Sequence, residues 1–182
     1  MRDIFMQVLV IMFIFVMALS TSDSASTSET PQFTLRSSAF ADGQTIPTKY
    51  TYNVHGQCTG QNYSPPLEWV NAPSGTKSFA IVCVDPDGGN WVHWVQFNIP
   101  SSAAGLDAAV GGPSTGVKGR NDFGGLGYGG PCPPGGSHRY IFTLYAIGTT
   151  LSLPEGASKS QLEKAMSNHI LGKSTLTGIR SR

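Results

Sequence analysis

From residue 33 onward, apolar and polar residues alternate mostly with the period of two that is typical of β-strands. The segment 78–85 is almost entirely apolar, which predicts a strand that is buried on both faces. The segment 92–99 alternates, and this predicts His93 on one face of its strand and Trp94 on the other. Strands are predicted at residues 33–37, 49–52, 78–85, 92–99, 139–147 and 174–179.

One late segment has the spacing of a one-sided helix instead. Ser158 and Gln161 match a capping box, in which each residue satisfies a free backbone N–H group of the other. Gly172 supplies a stop signal. Many strands and a single helix predict a mainly β protein, a β-sandwich with a peripheral helix in the C-terminal region. The predicted apolar face of the helix consists of Leu162, Ala165, Met166, His169 and Ile170.

The N-terminal residues have the pattern of a secretory signal peptide, which we assign to residues 1–20. Their apolar run, 4–18, is shorter than the about 20 residues that cross a bilayer. Residues 21–31 are rich in Ser and Thr and are predicted to be a disordered lead-in, leaving 32–182 as one domain. We therefore expect a secreted or periplasmic protein without a stable membrane span after cleavage. An uncleaved N-terminal membrane anchor is the alternative.

Composition excludes one class of partner. Charged residues make up 13% of the chain, against the usual value of about 25%, and the net charge is +1. Nothing in the chain forms the basic stripe that neutralises a phosphate backbone, so nucleic-acid binding is not expected.

Because an exported chain with three cysteines can form one disulfide, one cysteine remains without a disulfide partner. Cys83 lies in the apolar segment, where a thiol behaves as a small apolar side chain. Cys58 and Cys132 lie in polar loops rich in glycine, and we predict a disulfide between them; two unpaired loop thiols are the alternative. No Cys-x-x-Cys or His spacing supports a zinc site.

Ionisable groups stand at the ends of three predicted strands. Asp85 ends the buried strand, His93 begins the alternating one, and His138 precedes the strand at 139–147. If these ends converge, a carboxylate-oriented imidazole faces a second imidazole, an arrangement that can hydrogen-bond an oxyanion. The glycine-rich loop 106–128 leads towards the same region, and loops of this length in compact domains are often functional.

Each of these residues also has a simpler interpretation. Asp85 could simply cap a turn, His93 could be a core residue, and His138 could lie on the surface. The three could also form a metal triad, and Arg139 could pair with Asp85 or Asp87 to stabilise the fold. Cys83, the candidate for a free thiol nucleophile, is expected to be buried, so we expect neither an enzyme nor a cofactor.

The ordered motifs around these residues resemble the phosphatidylethanolamine-binding protein (PEBP) family, and most closely its bacterial and archaeal Raf-kinase-inhibitor-like branch. The matching stretches are Asn62-Tyr63-Ser64-Pro65-Pro66-Leu67-Glu68-Trp69, Val84-Asp85-Pro86-Asp87, Trp91-Val92-His93-Trp94, Asn121-Asp122-Phe123-Gly124, Gly127 to Pro134 and His138-Arg139-Tyr140. The resemblance implies a sandwich of two antiparallel sheets with Greek-key connections and a small anion pocket at one end. Carried over by motif, the ligand-binding residues are Asp85, Trp91, His93, Gly130, Pro133, Pro134, His138 and Tyr140.

The function that this resemblance implies is binding, without catalysis, of phosphate, a phosphorylated head group such as that of a phospholipid, or a carboxylate. Members of the family are also described as inhibitors, so a protease or kinase-pathway inhibitor, or a host-directed modulator acting through surface loops, is the alternative. An exported protein does not meet a cytoplasmic kinase of its own cell, and the protein target for this alternative is unknown.

Overall fold

The computed structural model describes residues 31–109 and 111–182, so the predicted signal peptide and nearly all of the lead-in lie outside the described residues. Within this part the chain is mainly β, as predicted, with one α-helix. The strands are β1 (Thr34–Arg36), β2 (Gln44–Thr45), β3 (Asn53–Val54), β4 (Cys58–Thr59), β5 (Leu67–Val70), β6 (Ser78–Asp85), β7 (Trp91–Pro100), β8 (Gly105–Leu106), β9 (Val117–Lys118), β10 (Ser137–Ile147) and β11 (Ile170–Ser181), and the helix is α1 (Lys159–Met166).

The principal sheet has six strands in the order β2-β11-β10-β6-β7-β9. A three-stranded sheet, β1-β5-β8, packs against one of its faces, and β3 and β4 form a separate two-stranded sheet. All pairs are antiparallel except β2 with β11, which run parallel. The predicted sandwich is therefore confirmed, with this one parallel edge as an exception to the antiparallel expectation.

Two hydrophobic clusters lie on opposite faces of the six-stranded sheet. The first fills the space between the two larger sheets, where Trp69 of β5 packs on Phe79 of β6 with ring centroids 5.1 Å apart. The second lies beneath α1, where Leu162 and Met166 are buried together with Val82. Residues of β6 alternate between the two clusters, which explains why its sequence is apolar without interruption.

The predicted strand at 49–52 is wrong. Residues Thr48–Tyr50 form a 3-10 turn, in which the N–H of Tyr50 donates to the carbonyl of Pro47 at 3.0 Å. Pro47 has the φ value of −60° that its ring imposes, which suits the start of such a turn. Two aromatic residues at alternate positions produced a strand pattern that the local backbone does not follow.

The capping box of α1 is confirmed, but the predicted helix is too long. The N–H of Ser158 donates to Gln161 Oε1 at 2.8 Å, and the N–H of Gln161 donates to Ser158 Oγ at 3.2 Å. The helix ends at Met166, and Ile170 already belongs to β11, where it pairs with Ile147. Gly172 lies inside that strand rather than at a helix stop. The residues from Ile170 onward pair with β10 instead of continuing the helix.

Candidate functional site

A cavity of about 420 Å³ lies at the edge of the six-stranded sheet where β6 ends and β7 and β10 begin. Because these three strands are adjacent and antiparallel, the end of β6 meets the starts of its two neighbours. The residues that line the cavity are Asp85, Asp87, Gly88, Trp91, His93, Phe123, Cys132, Pro133, Pro134, His138 and Tyr140.

Asp85 organises one wall of this cavity. Its side chain is buried, and Oδ1 accepts a hydrogen bond from the N–H of Gly88 at 2.8 Å. Its other oxygen, Oδ2, lies 2.7 Å from Nδ1 of His138. Asp85 therefore caps its turn and also orients an imidazole. The interpretation as a turn cap and the interpretation as a cavity residue are compatible. A Cβ atom at Gly88 would lie 2.9 Å from Oδ2, so glycine is what permits this close approach.

His93 reaches the cavity because β7 contains a bulge. Cys83 of β6 lies opposite Trp94, whereas Val84 lies opposite Val92, so His93 is an extra residue without a partner. The bulge turns His93 to the same side as Trp94, contrary to the simple alternation. The His93 ring meets Tyr140 edge to face with centroids 5.0 Å apart, while Trp94 meets Tyr128 at 5.3 Å, and both tyrosines belong to the first hydrophobic cluster.

The proton of His93 is assigned by its surroundings. Nδ1 lies 2.6 Å from the carbonyl oxygen of Gly129, so Nδ1 carries the hydrogen and donates it. Burial lowers the pKa of His93 below its ordinary value, although the bond to Gly129 and the charge of Asp85 act in the opposite direction. The ring is therefore neutral at neutral pH, with the Nε2 lone pair available.

This pKa predicts a loss of stability in acid. The unfolded chain binds a proton at His93 near the ordinary imidazole pKa, whereas the folded chain binds it only at lower pH. The contribution of this group to stability is therefore complete above the ordinary pKa and declines as pH falls below it. Urea unfolding at about pH 7.5 and about pH 5, in buffers free of phosphate, measures the loss.

The matched control is a histidine on the surface. His93→Gln is expected to reduce the difference in unfolding free energy between the two pH values, and His169→Gln, at an exposed position, is expected to leave it unchanged. An equal pH dependence in wild type and His93→Gln would contradict the assignment.

Tyr140 presents an unused donor at the floor of the cavity. Its hydroxyl is buried near the Asp85 carboxylate and makes no hydrogen bond of normal geometry among the residues that the structure describes. Burial, together with the nearby Asp85 carboxylate, raises the pKa of Tyr140 far above its ordinary value, so the hydroxyl keeps its proton. A buried polar group without a partner is unfavourable and marks a place where a ligand or water can bind.

Apolar side chains form part of the cavity lining. They include Pro133, Pro134 and Trp91, of which Trp91 is 41% exposed. The ring of Phe123 also lines the cavity, and its centroid lies 5.6 Å from that of Trp91 and 5.2 Å from that of His93 in edge-to-face contacts. Phe123 was absent from the predicted ligand set, although it belongs to one of the motifs that matched the family. Asp87, Gly88 and Cys132 also line the cavity without having been predicted.

Gly130 differs from its predicted place in the ligand set. It does not line the cavity, and its N–H donates to Oδ1 of Asn62 at 2.7 Å. A Cβ atom at Gly130 would lie 2.5 Å from the carbonyl oxygen of Tyr50, so glycine is needed here for packing. The neighbouring Gly129 serves the cavity instead, because its carbonyl fixes His93.

Arg139 pairs with Asp87 and leaves Asp85 to His138. Its Nε and one terminal nitrogen donate to the two oxygens of Asp87 at 3.0 and 2.8 Å. These hydrogen bonds hold the pKa of Asp87 well below its usual range. The backbone N–H of Arg139 also donates to Asp87, at 2.9 Å, so the pair fixes the turn after β6 against β10.

The predicted disulfide between Cys58 and Cys132 is present, with Cα atoms 5.9 Å apart. Cys83 is free and buried, and burial raises the pKa of its thiol. Within residues 31–109 and 111–182, no group of three or more His, Cys, Asp or Glu side chains is placed to hold a metal ion. The same part of the chain contains no helix that is long and apolar enough to span a membrane.

The sequence matches the family profile described as phosphatidylethanolamine-binding protein over residues 36–181. A UPF0098 protein of Methanothermobacter thermautotrophicus is 47% identical over 154 residues, which cover 81% of this chain and 98% of that protein. A UPF0098 protein of Aquifex aeolicus is 41% identical, over 80% of this chain and 86% of its own length.

Two crystal structures have the same fold. CT736 from Chlamydia trachomatis, described as a PEBP homolog, superposes with a TM-score of 0.75 at 36% identity, over 82% of this chain and 97% of its own. YbcL of Escherichia coli, described as a new member of the mammalian PEBP family, has a TM-score of 0.76 at 32% identity, over 84% and 99%. The chain therefore belongs to the phosphatidylethanolamine-binding protein family.

Proposed function

We propose that this protein binds a small anion in the cavity between Asp85, His93 and His138, without chemical conversion of that anion. The observation that carries the proposal is the buried, unpartnered hydroxyl of Tyr140 beside an imidazole that Asp85 orients. Since Nδ1 of His138 is engaged by Asp85, Nε2 is the nitrogen left for a ligand. Phosphate, a phosphorylated head group and a carboxylate all supply the oxygen acceptors that such donors need.

The size and lining of the cavity support a small organic anion. A volume of about 420 Å³ lies within the range typical of small-molecule sites. The lining combines polar side chains with apolar surface from Trp91, Phe123 and the two prolines, which suits the carbon atoms of a head group. Serine, threonine, lysine and free cysteine are absent from the residues described as lining it, so the site offers none of these nucleophiles.

Calorimetric titration with inorganic phosphate and with O-phosphoethanolamine tests the proposal. Binding is expected to strengthen as pH falls below the ordinary imidazole range, because burial lowers the pKa of His93 and its protonation turns the Nε2 lone pair into a charge-assisted donor. His138→Ala is expected to weaken binding, and His169→Gln, far from the cavity in sequence and exposed, is the control. Equal affinity in wild type and His138→Ala would favour the alternative of an inhibitor that acts through its surface loops.

Export is the second part of the proposed function. The disulfide supports an oxidising compartment, where such bonds form and persist. The mature chain is expected to begin near Thr21, and N-terminal sequencing of secreted or periplasmic material measures this directly. Recovery of the intact chain from washed membranes would instead support the N-terminal anchor.

A further inference from the structure

A second concave surface adjoins the cavity, and it contains two arginines. This arginine groove has a volume of about 200 Å³ and shares Pro133 with the cavity. The Cys58–Cys132 disulfide lies between the two, since Cys58 lines the groove and Cys132 lines the cavity. The groove is lined by Thr51, Gln57, Cys58, Thr59, Pro131, Pro133, Arg180, Ser181 and Arg182.

Neutral groups hold both arginines in place. The terminal nitrogens of Arg180 donate to the carbonyl of Ile46 at 3.0 Å and to the hydroxyl of Thr48 at 3.2 Å. Arg182 donates to the carbonyl of Pro134 at 3.0 Å. Neither arginine forms an ion pair within the part of the chain that the structure describes, and the lining of the groove contains no carboxylate side chain. Two oriented guanidinium groups that form no ion pair with a described side chain are suited to an oxyanion.

The groove and the cavity are near neighbours on the sheet. Arg180 of β11 lies directly opposite His138 of β10 in the antiparallel register. Residues in this relation have Cβ atoms about 5 Å apart and project from the same face. The positive charge of Arg180 also opposes the rise in the pKa of Tyr140, so its field extends to the floor of the cavity.

We infer that the ligand carries a second anionic group, which binds Arg180 and Arg182 while its first group occupies the cavity. The inference rests on the proposed function, because it assigns the second group of the same ligand. The ligand class is a small phosphate monoester that also bears a carboxylate or a second phosphate a few bonds away. Pro133, the wall common to both sites, is the point over which such a molecule passes.

Two commercially available compounds distinguish binding at the cavity from binding at the arginine groove. O-phosphoserine differs from O-phosphoethanolamine only by a carboxylate, so the ratio of their affinities measures the second site alone. In calorimetric titrations, wild type is expected to bind phosphoserine about fivefold more tightly, the gain typical of one partly exposed charge pair. Arg180→Gln, Arg182→Gln and the double variant are expected to reduce this ratio towards one, and Arg182→Gln is expected to leave phosphoethanolamine affinity nearly unchanged.

The controls distinguish failure of the second site from failure of the proposed function. Lys173→Gln removes one positive charge from an exposed position of the same strand and is expected to keep the ratio. Arg182→Gln guards against a folding defect, because Arg182 makes fewer side-chain contacts than Arg180. If wild type binds both compounds equally, or if the preference persists in the double variant, the second site is overturned while the proposed function stands. If wild type binds neither compound, both proposals fail.

Discussion

Replacing Asp85 by asparagine is expected to weaken phosphate and phosphoethanolamine binding about tenfold while leaving the fold intact. Asp85 accepts hydrogen bonds from the Gly88 N–H and from His138 Nδ1, so its charge and its position are both used. Asparagine retains the shape and one acceptor oxygen for the turn, but it removes the charged oxygen that lies 2.7 Å from His138 Nδ1. A charge-assisted hydrogen bond is worth about twice a neutral one, which sets the expected loss.

Alanine at the same position separates binding from stability. Asp85→Ala removes both hydrogen bonds and leaves the Gly88 N–H without its acceptor, so the free energy of unfolding is expected to fall by about 2 kcal/mol. Asp107→Asn, at an exposed position outside the cavity lining, is the control for removing one negative charge. Urea unfolding and calorimetric titration of the three variants give both quantities. An affinity of Asp85→Asn within about twofold of wild type would show that the carboxylate serves only the turn.

Removing the disulfide is expected to produce the largest loss of stability. Cys58 and Cys132 are 74 residues apart, and closing a loop of that length lowers the entropy of the unfolded chain by an amount worth about 4 kcal/mol. The double variant Cys58→Ser/Cys132→Ser is therefore expected to unfold at a markedly lower urea concentration than wild type. The bond also holds the segment that carries Pro133 and Pro134, so phosphoethanolamine binding is expected to weaken with it.

Chemical labelling supplies an independent test of the same bond. Under non-reducing conditions, alkylation of the unfolded wild type is expected to modify one cysteine, Cys83, because the other two are paired. Reduced wild type and the double serine variant should show the same loss of unfolding free energy, since in both the bond is absent. Three modified cysteines without reductant, or a double variant as stable as oxidised wild type, would contradict the assignment.

The sequence correctly predicted burial for the strand that packs on both of its faces. The uninterrupted apolar run of β6 predicted a central strand, and its residues do alternate between the two hydrophobic clusters. The capping box predicted the first residue of α1, because that signal depends only on groups three residues apart. The motifs at 84–87, 91–94 and 138–140 likewise identified five of the residues that line the cavity: Asp85, Trp91, His93, His138 and Tyr140.

Other features depended on partners that are distant in the sequence. Periodicity placed His93 and Trp94 on opposite faces, and only pairing of β7 with β6 introduces the bulge that brings them to one side. The helix stopped at Met166 because β10 offered a partner to the residues from Ile170 onward. In each case a local pattern was overruled by hydrogen bonds that exist only after the sheet has formed.

The sequence by itself determined the family, the mainly β class and the residue types of the cavity, since these follow from motif order and local periodicity. Only the tertiary structure decided how those residues divide their hydrogen bonds. Arg139 pairs with Asp87 and so leaves Asp85 to His138, and Asn62 accepts the hydrogen bond from the N–H of Gly130. Among the residues that line the cavity, Tyr140 keeps a buried hydroxyl without a partner in the described chain. Which polar groups remain free depends on every competing donor and acceptor nearby, and sequence order does not contain those distances.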